Sequence, residues 1–88
     1  MSKAKSVPAA KRQEVEAKTL EIFRQQFGAN DDELDLDTDV TTEWHSDDLD
    51  ILEVVMELEE AFDVSIKDGT YDDAKKPSDF VTLVLGLL

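Results

Sequence analysis

From Asp47 to Phe62 the apolar residues return at the three- and four-residue spacing of a helix. Leu49, Leu52, Val55, Met56 and Phe62 are expected on one side, with Asp48, Glu53, Glu57 and Glu60 mostly facing solvent. Ile51, Val54, Leu58 and Ala61 widen the apolar surface, which predicts a central helix with more than one neighbour. Asp47 or Ser46 is placed to cap its start, and Asp47, Asp48 and Asp50 suit the positive end of the helix dipole.

An earlier helix is predicted from Ala10 to Phe27, with Val15, Leu20, Ile22, Phe23 and Phe27 as its buried stripe and Gly28 as its left-handed stop. Residues 29–46 form a long loop, pinned by Leu34, Leu36 and Val40. Trp44 is either an anchor of this loop or an exposed contact. Residues 63–70 connect onward, Tyr71-Asp72-Asp73-Ala74 allows only a turn or a short helix, and Pro77-Ser78-Asp79 opens a last helix carrying Phe80, Val81, Leu83, Val84, Leu87 and Leu88. That helix is expected to pack across the first two. The fold class is therefore all-α: three longer helices, one short helix and a long first loop. Residues 1–8 read as a mobile tail, and residues 9–88 as one domain.

Eighty-eight residues with 41% hydrophobic content supply one small core. The absence of cysteine excludes disulfides and thiolate chemistry. A formal charge of -13 repels nucleic acid and anionic membranes and favours partners with basic docking patches. Six of the nine basic residues precede residue 25, so the excess of acid lies in the later part of the chain. No apolar stretch reaches the length of a membrane span, and no secretory h-region follows Lys3 and Lys5. A cytoplasmic monomer is the expectation.

Val40 to Asp63, with the run Leu58-Glu59-Glu60-Ala61-Phe62-Asp63, resembles the second helix and preceding turn of an acyl carrier protein. The likeness of helix lengths and loop extends over about residues 10–87. In that family an Asp-Ser-Leu motif esterifies its serine to 4'-phosphopantetheine. Ungapped matching places the three positions on Asp47, Asp48 and Leu49, so an aspartate stands where the attachment serine is expected. The family's leucine, glycine and alanine before the motif become Trp44, His45 and Ser46.

Two readings follow from this resemblance. In the first, no cofactor is expected: Asp48 supplies fixed charge at a helix N-terminus, and the protein binds enzymes of fatty-acid, polyketide or specialised lipid biosynthesis. In the second, Ser46 carries the 4'-phosphopantetheine arm, or the chain is an Asp48 variant of a normal carrier. Moving the hydroxyl by two residues displaces it by several ångströms, at about 3 Å per extended residue.

The resemblance also assigns docking to basic partner surfaces to Asp50, Glu53, Met56, Glu57 and Glu60, against the simpler reading of these acids as a solubilising face. His45 has no second imidazole or cysteine with which to form a metal site. Asp31 to Asp39 is rich in oxygens but lacks EF-hand spacing. Neither a catalytic cleft nor a Ser-His-Asp arrangement is indicated, so the chain is not read as an enzyme.

Overall fold

The structure, a computed structural model, describes residues 9–88; the expected tail over residues 1–8 lies outside the described residues. Four helices follow one another: α1 (Ala9–Phe27), α2 (Val40–Glu43), α3 (Asp48–Phe62) and α4 (Pro77–Leu87). The all-α bundle of three longer helices and one short one is as expected, but the short helix is in a different place. It closes the first loop at Val40–Glu43, while residues 68–73 make only turns. Asp39 is the reason: its carboxylate accepts from the amides of Thr41 and Thr42 and so nucleates one helical turn.

The first helix packs broadly against both α4 and α3, so α1 rather than α3 is the helix with two extensive partners. Val15, Thr19, Ile22 and Phe23 form its buried side. Phe23 is fully buried, with its ring centroid 5.3 Å from that of Phe80 on α4. Gly28, at φ 67°, ends α1, and the Ala29 amide reaches back to the Arg24 carbonyl at 2.9 Å.

The long loop is held down as its apolar residues predict: Leu34 and Val40 are buried and Leu36 is half-buried. Arg24 adds a polar clasp, donating to the Leu34 and Asp31 carbonyls at 2.9 Å each. Trp44 serves as an anchor, half-buried with its ring 6.2 Å from Phe27.

The connector after α3 is tied to the bundle by hydrogen bonds from backbone amides. Ile66 N–H donates to the Glu59 carboxylate at 2.8 Å, and Val40 N–H donates to the Lys75 carbonyl at 2.9 Å. Asp79 accepts from the Lys75 and Lys76 amides and so fixes the start of α4, where Pro77 is the first residue. These ties bring residues 68–75 alongside the N-terminus of α3.

Candidate functional site

The first turn of α3 is built by a reciprocal cap. Asp47 takes an extended backbone and its carboxylate accepts from Asp50 N–H at 2.9 Å, while the Asp50 carboxylate accepts from Asp47 N–H at 3.2 Å. Asp47, not Ser46, is thus the cap. Asp48 follows as the first helical residue, exposed and without a side-chain hydrogen bond among the described residues. Just before the cap, His45 has φ 52°, the left-handed conformation that favours glycine. The turn therefore keeps a glycine-type backbone where the sequence supplies an imidazole. His45 is exposed, and no cluster that could hold a metal ion occurs among the described residues.

The side of α3 turned to the core differs from the expected stripe. Val54, Val55 and Leu58 are buried and Ile51 and Phe62 half-buried, whereas Leu49 is 63%, Leu52 42% and Met56 57% exposed. Helical rotation explains the correction. Leu49 and Leu58 are nine positions apart, and at about 100° per residue they point in opposite directions. Val55 and Phe62 belong to the core side; Leu49, Leu52 and Met56 lie among the exposed acids. The outcome is a solvent-facing surface of three large apolar side chains bordered by Asp48, Glu53, Glu57 and Glu60.

Two of the expected docking acids have internal duties. Gln26 Nε2 on α1 donates to Glu53 at 2.7 Å and to Asp50 at 3.4 Å. Asp50 also completes the helix cap. Glu57 and Glu60 make no side-chain hydrogen bond or ion pair among the described residues and remain available. Leu49 and Leu52 join Met56 on this exposed side, and their angular position beside Met56 was the available signal.

Beside the helix cap lies an open cavity of about 480 Å³ whose wall includes Ser46, Asp48, Ile51, Leu52, Tyr71 and Lys75. The connector residues in this wall, from Asp68 to Lys75, were not apparent as site residues because the fold alone brings them there. Burial, followed by the carboxylates of Asp68 and Asp72, raises the pKa of the Tyr71 hydroxyl above its ordinary value. Ser46 is half-buried, and its hydroxyl is buried without a hydrogen-bond partner among the described residues.

With this geometry in place, the relatives of the chain become informative. A family model described as "Phosphopantetheine attachment site" matches residues 17–84. The chain belongs to this family, that of the acyl carrier proteins. It is 33% identical over 54 residues to an acyl carrier protein of Trieres chinensis, covering 61% of this chain and 68% of that protein. It is 32% identical over 65 residues to an acyl carrier protein of Syntrophobacter fumaroxidans, covering 74% of this chain and 80% of that protein. Members of the family are carriers rather than enzymes.

The family overturns the expectation that no cofactor is involved: phosphopantetheine is the group expected of a phosphopantetheine-attachment domain. The residues at the site do not fit the usual serine ester as they are placed. Asp48 is exposed but has no hydroxyl, and the Ser46 hydroxyl points into the protein. None of the described helices is long and apolar enough to cross a membrane.

Proposed function

We propose that this carrier-family protein works by docking its α3 surface onto enzymes of fatty-acid, polyketide or specialised lipid biosynthesis that have basic surface patches. The observation that supports this reading most strongly is the exposure of Leu49, Leu52 and Met56 among acids on a helix whose core side is already filled. Three large apolar side chains in solvent lose contact energy unless a partner covers them. The surrounding carboxylates steer a basic partner towards them, and apolar contact then retains it. Glu57 and Glu60 supply the mobile charge, while Asp50 and Glu53 hold the face against α1.

Ser46 is the candidate attachment position for the family's arm, because it is the one serine within two residues of Asp48. Its hydroxyl has no hydrogen bond among the described residues to hold it, so rotation about χ1 is opposed there by packing alone.

The reading is tested by titrating the isotope-labelled chain with a broad-specificity phosphopantetheinyl transferase and mapping amide shifts. Shifts centred on Leu49, Leu52, Met56 and Glu57 are expected; shifts centred on α1 or α4 would overturn the docking assignment. Intact mass and peptide mapping after addition of coenzyme A then report on Ser46. An added arm on that residue supports the attachment position, and an arm on any other residue refutes it.

A further inference from the structure

We propose that Asp68-Gly69 is a site of covalent self-modification, where the Asp68 side chain condenses with the Gly69 amide and reopens to isoaspartate. The chain has three glycines, preceded by Phe27, Asp68 and Leu85, so this is its one Asp-Gly pair, and no Asn-Gly pair occurs. Ring closure requires the carboxyl carbon to reach the amide nitrogen of the next residue. A side chain on that residue obstructs the approach, and glycine has none.

The fold leaves both reacting groups open. Lys67 to Thr70 make a four-residue turn, closed by the Thr70 amide on the Lys67 carbonyl at 3.2 Å, with Gly69 in its third place at φ 91°. Asp68 and Gly69 are both exposed. Among the described residues the Gly69 N–H donates no hydrogen bond, and the Asp68 carboxyl makes neither a hydrogen bond nor an ion pair. A Cβ built on Gly69 would meet only Asp72 Oδ2, at 4.0 Å, so nothing packs against the turn on that side. Other aspartates lack this freedom: the carboxylates of Asp39, Asp47, Asp50 and Asp79 each accept from backbone amides, and a residue with a side chain follows each of them.

In the first step the Gly69 nitrogen bonds to the side-chain carboxyl carbon of Asp68. The amide proton and the carboxyl hydroxyl leave as water, and a succinimide ring remains. Water then adds to one of the two ring carbonyls. Opening at the side-chain carbonyl restores aspartate; opening at the main-chain carbonyl gives isoaspartate, in which the chain runs through the former side chain and the α-carboxylate is free. No atom is gained or lost overall, and nothing is oxidised.

The main chain is then one carbon longer inside the turn. Thr70 N–H and Oγ1 both donate to the Lys67 carbonyl, at 3.2 and 2.7 Å, and a lengthened turn no longer matches this closure. Asp68 also stands in the wall of the open cavity shared with Ser46 and Tyr71, so isomerisation reshapes that wall. The isomerised turn is a substrate for the class of methyltransferase that esterifies isoaspartyl α-carboxylates with S-adenosylmethionine.

The test keeps the folded chain for weeks at neutral pH and physiological temperature, beside the same chain unfolded in guanidinium chloride. Peptide mapping of the folded sample is expected to show isoaspartate at position 68 at unchanged peptide mass, with a minor form lighter by one water. A purified isoaspartyl methyltransferase with methyl-labelled S-adenosylmethionine is expected to label it. Asp68→Glu keeps the turn's glycine but removes the five-membered ring, and is expected to lose the label; Asp68→Asn is expected to gain it faster, through the same ring with loss of ammonia. Isoaspartate only at other positions, label retained in Asp68→Glu, or isomerisation of Asp68 in the unfolded chain alone would overturn the proposal.

Discussion

Gln26 Nε2 donates to Glu53 Oε1 across 2.7 Å and so ties α1 to the acidic side of α3. The same amide reaches Asp50, which also closes the helix cap, at 3.4 Å. One neutral side chain thereby orders two carboxylates without cancelling their charge. Gln26→Ala is expected to lower stability by about 0.5–1 kcal/mol, a modest loss because the Glu53 contact is exposed. Urea denaturation measures it, and a double-mutant cycle with Glu53→Ala should show that the two effects are not additive.

Thr19 carries a different kind of strain. It is completely buried in α1, and its hydroxyl has no hydrogen-bond partner among the described residues. Thr19→Val keeps the shape while removing the unsatisfied group, so stability should rise by about 1 kcal/mol. A fall in the denaturation midpoint at unchanged m-value would show that the hydroxyl is satisfied in solution.

Two residues other than glycine hold left-handed backbones at the ends of α3: His45 at φ 52° and Asp63 at φ 53°. The conformation costs about 1 kcal/mol relative to glycine. His45→Gly should therefore raise the thermal midpoint, and Asp63→Gly should do likewise. The Asp63 substitution also retains the helix stop, since the cap uses backbone donors: Asp63 and Val64 N–H both reach the Glu59 carbonyl.

Acid should loosen the first loop once the Asp39 carboxylate is protonated. The Asp39 carboxyl titrates below its ordinary value, chiefly because the Thr41 hydroxyl donates to it at 2.6 Å, with the Thr42 and Thr41 amides acting in the same direction. A depressed folded pKa means that the unfolded chain binds the proton more readily. The stabilising contribution is therefore present above the ordinary carboxylate range, near pH 4, and is lost as pH falls through the lower folded value. Trp44, four residues after Val40 and packed on Phe27, reports the change by fluorescence. Asp39→Ala at neutral pH should give the emission that the unaltered protein reaches in acid.

Much of the fold was legible because local chemistry and burial agree. Gly28 stops α1, Pro77 and Asp79 start α4, and Leu34 and Val40 pin the loop, all as their residue types imply. The short helix was misplaced because a four-residue element leaves no periodicity; the Asp39 cap determines it. Leu49 and Leu52 were grouped with the core-facing Val55 and Phe62 because apolar identity outweighed helical angle, while Met56 was also read as a docking residue. The exposure of Leu49, Leu52 and Met56 turns an apparent core stripe into the candidate docking surface. The cavity depended on bringing Asp68 to Lys75 beside α3, a tertiary relationship that no local pattern encodes.

The most direct test of the account measures the affinity of a broad-specificity phosphopantetheinyl transferase for the unaltered chain and for Leu52→Ala/Glu57→Lys/Glu60→Lys. All three positions are exposed on α3, so the variant should retain its circular dichroism and thermal midpoint. Docking through this surface predicts an affinity loss of about tenfold or more, with a weaker dependence on salt. Unchanged affinity in the folded variant would contradict the docking role of α3.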